Sequence, residues 1–183
     1  NIFQPISSSM EKILSRNGIF AEKTLPVPLS ASTKFYKYDI INKSKVPKYD
    51  TIVYLGTIRK SRDFDFMVKI FDKSKSIFPD LKLLIIGDDE LRKKSYKDTY
   101  PELNRYKDDV TITGFVSYNE VPKFFSKNMI GLSSIPPFRK FLVSTPSKIV
   151  DYISLGIPIV ANREILFQKK ILKQSKGGIL VDY

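Results

Sequence analysis

What most restricts the fold of this chain is a repeated pattern: a short, unbroken apolar run, then a glycine or loop, then a helical stretch. Thr51-Ile52-Val53-Tyr54-Leu55 runs into Gly56, Leu81-Lys82-Leu83-Leu84-Ile85-Ile86 into Gly87, and Val110-Thr111-Ile112-Thr113 into Gly114. Met129-Ile130-Gly131-Leu132, Pro158-Ile159-Val160-Ala161 and Gly178-Ile179-Leu180-Val181 complete the series. Between them Phe64, Met67, Val68, Phe71 and Ile77 recur at helical spacing, and a helix is expected from Arg163 to about Ser175. Ser117-Tyr118-Asn119-Glu120 has capping-box spacing and predicts a helix through Phe124 and Phe125. The charged stretch from about Asp88 to Asp98 reads as a further helix. Strands that are apolar at nearly every position must be covered on both faces, which predicts a parallel sheet between helical layers. Ligands of such sheets gather beyond the carboxyl ends of the strands, so Gly56, Gly87, Gly114 and the loop after Leu132 mark one rim and one site.

Residues 1–48 lack this regularity. Ser7 to Leu14 predicts a helix with Met10, Ile13 and Leu14 on one side, stopped near Asn17-Gly18. Thr24 to Leu29 reads as an extended piece broken by prolines, and Ser30 to Lys48 as a linker. With no cysteine and no histidine, disulfide, thiolate and serine–histidine chemistry are excluded within the chain. Chemistry here falls to carboxylates, Lys, Arg, hydroxyls, or binding alone. The formal net charge of +12 asks for an anionic partner, whether phosphorylated substrate, anionic membrane face or nucleic acid. It is equally the mark of a lysine-rich solvated surface. No apolar run reaches the length of a membrane span.

The densest local signal lies between Val143 and Val160. Thr145 reads as an N-cap and Pro146 as the first helical residue, with Gly156 stopping the helix and Pro158 preventing its restart. A helix start with Lys148 in its first turn offers N–H groups and positive charge to an anion. Asp151 would stand about 9 Å along the axis from Thr145 at 1.5 Å per residue. That spacing suits a ligand with phosphate at one end and sugar hydroxyls at the other. A salt bridge between Lys148 and Asp151 is the alternative reading. The exit of the first strand, Gly56-Thr57-Ile58-Arg59-Lys60-Ser61-Arg62, could clamp phosphate or form an exposed basic loop. It matches neither a Walker A loop nor a GxGxxG turn. Asp88-Asp89-Glu90 reads as a helix-start dipole complement in preference to a metal site.

Four segments in order then carry a resemblance: Tyr54-Leu55-Gly56-Thr57, Ile85-Ile86-Gly87, Thr113-Gly114-Phe115-Val116, and Ser144 to Tyr152 with Gly156, Pro158 and Val160 in register. From Thr51 to Val181 the chain resembles the donor-binding C-terminal domain of GT-B glycosyltransferases, specifically glycosyltransferase family 4. The resemblance implies a Rossmann-like three-layer α/β/α parallel sheet over 49–183, with its C-terminal helix truncated. Residues 1–48 are then a remnant of the N-terminal acceptor domain plus the interdomain linker. It also implies a retaining transferase that moves a sugar from a UDP- or GDP-linked donor to a polysaccharide or lipid-linked acceptor.

Carried over residue by residue, the resemblance gives the diphosphate to Arg59, Arg62, Thr145 and Lys148, with Arg62 the best match to the family's lysine. It gives the ribose to Asp151, where the family has glutamate, and the base to Gly87, Phe115 and Val116. No catalytic residue and no metal is assigned within the chain. Val143 replaces a second family glutamate that contacts the donor sugar, and Thr57 stands where an arginine is common. Expected partners are the nucleotide-sugar, an acceptor domain in cis and an anionic membrane surface, at the cytoplasmic face of the plasma membrane, with no nucleic acid. A degenerate, non-catalytic donor-like domain is one alternative, and a basic nucleic-acid-binding module is another.

Overall fold

The computed structural model describes residues 2–33, 35, 48–88 and 100–183. The helix expected from about Asp88 to Asp98, with Asp89 and Glu90, lies outside the described residues beyond Asp88, as does most of the expected linker.

Six strands form one sheet: β1 (Thr51–Leu55), β2 (Lys82–Ile86), β3 (Val110–Ile112), β4 (Met129–Ser133), β5 (Ile159–Asn162) and β6 (Gly178–Val181). Their order is β3-β2-β1-β4-β5-β6, and every pairing is parallel. The helices among the described residues are α1 (Ser8–Arg16), α2 (Phe64–Ile77), α3 (Arg139–Leu142), α4 (Ser147–Ser154) and α5 (Leu166–Ser175). This is the Rossmann-like three-layer arrangement expected from the strands.

The unbroken apolar strands have a direct cause. Val53, Leu84, Ile86 and Ile159 point into one core with Ile149 and Tyr152 of α4, Leu155 just after it, and Leu172 of α5. Their neighbours Tyr54, Leu83 and Ile85 point into a second core with Phe64, Met67, Val68 and Phe71 of α2. Successive side chains of a strand alternate faces, so a sheet with two cores needs apolar residues at both parities.

Three local expectations change. Ser117 and Glu120 do pair, through a 3.1 Å side-chain hydrogen bond, but they open only a 3-10 turn at Val121–Phe124. Pro122 lacks the N–H that an α-helix would use and favours so short an element. Ile77 is 72% exposed, so the buried stripe of α2 ends at Phe71. Helix α1 forms where expected, capped by Ser7, yet buries none of its residues.

Strand order reverses between β1 and β4. Their pairing runs from Thr51↔Met129 only to Val53↔Gly131, so their carboxyl ends part. At the neighbouring exit Gly87 has φ +147°, and a Cβ there would overlap the Gly56 carbonyl. Gly87→Ala is therefore expected to cost about 1–3 kcal/mol through overpacking and backbone strain. Urea unfolding monitored by circular dichroism measures this.

Candidate functional site

A cleft of about 570 Å³ opens where β1 and β4 part, the topological switch point at which open α/β sheets bind ligands. Helix α4 forms one wall, and Tyr152 fixes its position. The fully buried Tyr152 hydroxyl enters the gap between the strands, accepting from the Leu55 N–H at 2.8 Å and donating to the Val53 carbonyl at 3.1 Å. Gly131 leaves space for the ring, since a Cβ there would lie 2.7 Å from it. The helix ends as the sequence predicts. Gly156 takes φ 67°, and the Ile157 and Gly156 N–H groups bond back to the Tyr152 and Ile153 carbonyls in a Schellman motif.

Its start is different. The helix begins at Ser147, after an extended Pro146 (φ −69°, ψ 114°) that carries no side-chain cap. Thr145 is therefore not the N-cap; it sits ahead of the helix and lines the cleft with Pro146, Ser147 and Lys148. In its first turn the Ile149 N–H donates back to the Pro146 carbonyl at 3.3 Å, and the N–H groups before it have no acceptor within the helix.

Lys148 reaches across to β1, its ammonium 3.8 Å from the centroid of the Tyr54 ring, a cation–π contact. Enclosure by protein atoms and then the Arg62 guanidinium push its pKa down to about 7. Asp151 is only 3% exposed, and its Oδ1 accepts a 2.6 Å hydrogen bond from the Tyr118 hydroxyl. Burial raises the carboxyl pKa, against the opposing pull of that bond. Burial, then the bond to Asp151, drive the Tyr118 phenol up to about 12. Lys148 and Asp151 thus have separate partners, and the salt-bridge alternative does not hold.

Arg59 and Arg62 both line the cleft, Arg59 half-buried and Arg62 exposed. The Arg62 guanidinium also stacks over Phe141 of α3 at 4.6 Å. A smaller adjoining cavity of about 310 Å³ brings Gly87, Phe115 and Val116 together and shares the last two with the main cleft. Beneath the cleft, the loop carrying Ser134 and Ile135 rests on buried polar side chains. Ile135 N–H donates to Asn162 Oδ1 at 2.9 Å, Gln168 Nε2 to the Asn162 carbonyl at 2.9 Å, and Ser133 Oγ to Gln168 Oε1 at 2.5 Å.

With this geometry the chain can be compared with known proteins. The family model for glycosyl transferases group 1 matches residues 37–183. The chain belongs to this family. No curated protein matches it. Among solved structures this glycosyl transferase domain is similar to WaaG, a glycosyltransferase involved in lipopolysaccharide biosynthesis, with a TM-score of 0.71 and 10% identity over 98% of this chain and 48% of that one. It is also similar to Anabaena HepE in complex with UDP and glucose, with a TM-score of 0.67 and 13% identity over 99% of this chain and 49% of that one. For the lipopolysaccharide outer core galactosyltransferase WaaB the TM-score is 0.62 and the identity 16%, over 99% of this chain and 48% of that one. At such identity the likeness speaks for the GT-B glycosyltransferase fold alone. The chain spans about half the length of these structures.

Within the glycosyl transferase domain, Arg59, Arg62, Thr145, Lys148 and Asp151 share one cleft, and Gly87, Phe115 and Val116 adjoin it. Val143 is not among the residues of the cleft; it lines an adjoining cavity of about 500 Å³ with Ile6, Pro26, Pro28 and Leu166, which shares Thr145 with the cleft. Asp88 lines the smaller cavity, and among the described residues no cluster of acidic side chains could hold a metal. Among them, too, no helix is long and apolar enough to cross a membrane. The sequence assigns no site role to Tyr118 or Tyr152. Tyr152 stands three residues after Ile149 on the apolar face of α4, which accounts for its burial and not for its hydroxyl; both hydroxyls are tied to the site by hydrogen bonds to residues distant along the chain.

Proposed function

We propose that the chain is the donor-binding half of a retaining glycosyltransferase, holding a nucleotide-diphosphate sugar in the cleft between β1 and β4. One observation carries this reading: a single cleft is lined by three cations, Arg59, Arg62 and Lys148, and by a buried, hydrogen-bonded carboxylate, Asp151. A nucleoside diphosphate offers the matching groups, anionic oxygens for the cations and ribose hydroxyls for the carboxylate. The Anabaena HepE structures contain UDP, and one of them UDP-glucose, which adds support for this ligand class. The diphosphate sits against the first turn of α4 with Arg62 and Lys148, the ribose at Asp151, and the base in the smaller cavity at Gly87, Phe115 and Val116. These cations stabilise charge developing on the leaving nucleoside diphosphate, a task that needs no metal in this scheme. The acceptor, polysaccharide or lipid-linked, is held by a further domain in cis at an anionic membrane face.

The two kinds of contact are separable by calorimetric titration. Asp151→Ala is expected to weaken UDP or GDP about ten-fold while leaving inorganic pyrophosphate nearly unchanged. Arg62→Ala is expected to weaken both by a similar factor, and pyrophosphate the more in proportion to its total affinity. Equal effects of the two substitutions on both ligands would remove the role assignment, and no binding of any nucleotide would remove the reading. Val143, an apolar residue where the family resemblance places a sugar-contacting glutamate, favours a second reading, a donor-like domain without turnover. Unchanged nucleotide affinity in the Lys148→Ala, Asp151→Ala double variant would support it.

A further inference from the structure

We infer that Tyr118 is itself a ligand-binding residue of the cleft, completing with Asp151 a pair of acceptors for the ribose diol. This rests on the nucleotide-sugar reading above. Tyr118 lines the cleft beside Asp151 and donates to Asp151 Oδ1 at 2.6 Å. That bond uses the only proton of the phenol, so towards a ligand Tyr118 can act only as an acceptor. A backbone hydrogen bond from Ser32 occupies one of its two lone pairs, and one remains. The proton donated by Tyr118 also favours the ionised carboxylate, whose Oδ2 is a second acceptor. A ribose presents two neighbouring O–H donors, and the pair offers two acceptors of matching polarity.

Chain length points the same way. Aspartate is one methylene shorter than the glutamate that the family resemblance places here, a loss of about 1.5 Å. The Tyr118 oxygen, 2.6 Å from the carboxylate in the same cleft, sets a second acceptor beside the shortened side chain. The phenol is also held in place. Phe35, fully buried, packs on its ring with centroids 4.9 Å apart. A side chain locked by packing and a hydrogen bond recognises a ligand without losing further rotamer freedom. Ser32 and Phe35 both precede the residues matched by the family model, so this support comes from outside the family segment.

The test compares UDP and GDP with their 2′-deoxy counterparts and pyrophosphate, on the wild-type chain and on Tyr118→Phe. The phenylalanine keeps the ring against Phe35, and a thermal melt verifies the fold. The wild type is expected to prefer the ribonucleotide about ten-fold, and Tyr118→Phe to reduce that preference about five-fold. Pyrophosphate affinity should stay constant. A merely structural role would weaken ribo- and deoxyribonucleotide alike, and a role only through the charge of Asp151 would let the ribose preference of Tyr118→Phe return to the wild-type level as pH rises and the carboxyl ionises; either result would overturn the inference. An unchanged ribose preference would also overturn it while leaving the donor reading intact. If no nucleotide binds the wild type, the donor reading fails and the inference falls with it. Asp151→Glu gives a second check: the longer arm must displace Tyr118, so it should lower ribose preference in the wild type and partly restore it in Tyr118→Phe.

Discussion

Replacing Tyr152 with alanine is expected to lower stability by about 3–5 kcal/mol, as loss of a large buried aromatic does. The ring is fully buried against Gly131 and Phe125, and its removal would leave a cavity in the core. Tyr152→Phe separates packing from polarity. It keeps the ring but strands the Leu55 N–H, which lies beyond the last β1–β4 pair, and removes a donor from the Val53 carbonyl. That change should cost about 1–3 kcal/mol, the usual penalty for a buried polar group left without its partner. Urea titration of both variants measures the two contributions. A cost under 0.5 kcal/mol for Tyr152→Phe, roughly the level of an ordinary surface substitution, would show that the hydroxyl does not hold the strands at the switch point.

Lys148→Met is expected to weaken a nucleotide-sugar by about 2 kcal/mol, roughly thirty-fold, at pH 6.5. The sign of the pH dependence follows from the lowered pKa of about 7 in the ligand-free cleft. Below that value the ammonium is charged and ready for diphosphate; above it, binding must first take up a proton. Wild-type affinity should therefore fall by up to about thirty-fold between pH 6.5 and 8.5, while the methionine variant stays flat. A nucleotide-sugar is the right probe, because its diphosphate has no titrating proton in this range. Stability of the empty protein runs the other way. The native state resists protonating Lys148, a penalty that is full below about pH 7 and fades as pH rises toward the unfolded value of 10.5. Lys148→Met should remove that penalty and raise the melting temperature at pH 6.5 while lowering affinity. A wild-type affinity that does not change with pH would remove this account of Lys148.

The legible part of the site was the part written in consecutive residues. Gly156 and Pro158 announce the end of α4, and the glycine exits of β1 and β2 mark the rim, because each depends on backbone conformations that few residue types adopt. The start of α4 was misread for a related reason. Thr145-Pro146 satisfies the cap-and-proline pattern, but Pro146 keeps an extended ψ, which its ring does not restrict, and the helix opens one residue later. The Ser117–Glu120 pair shows the same limit: the side chains meet as the spacing predicts, yet Pro122 leaves only a short turn.

By itself the sequence determined the sheet. Strands apolar on both faces, separated by helical stretches, can be buried only between two helical layers, and the glycines at their ends place the rim. It also placed the diphosphate candidates Arg59, Arg62 and Lys148 near that rim. Only the tertiary structure decided what Asp151 meets. Residue 118 lies on the loop after β3, Ser32 and Phe35 lie before β1, and no local period relates them to α4. The same is true of Tyr152, whose partners sit at the end of a strand almost a hundred residues earlier (|i−j| 97 and 99). Local backbone preference is a property of a few adjacent residues, whereas a buried hydroxyl finds its partner only once the strands have been ordered side by side.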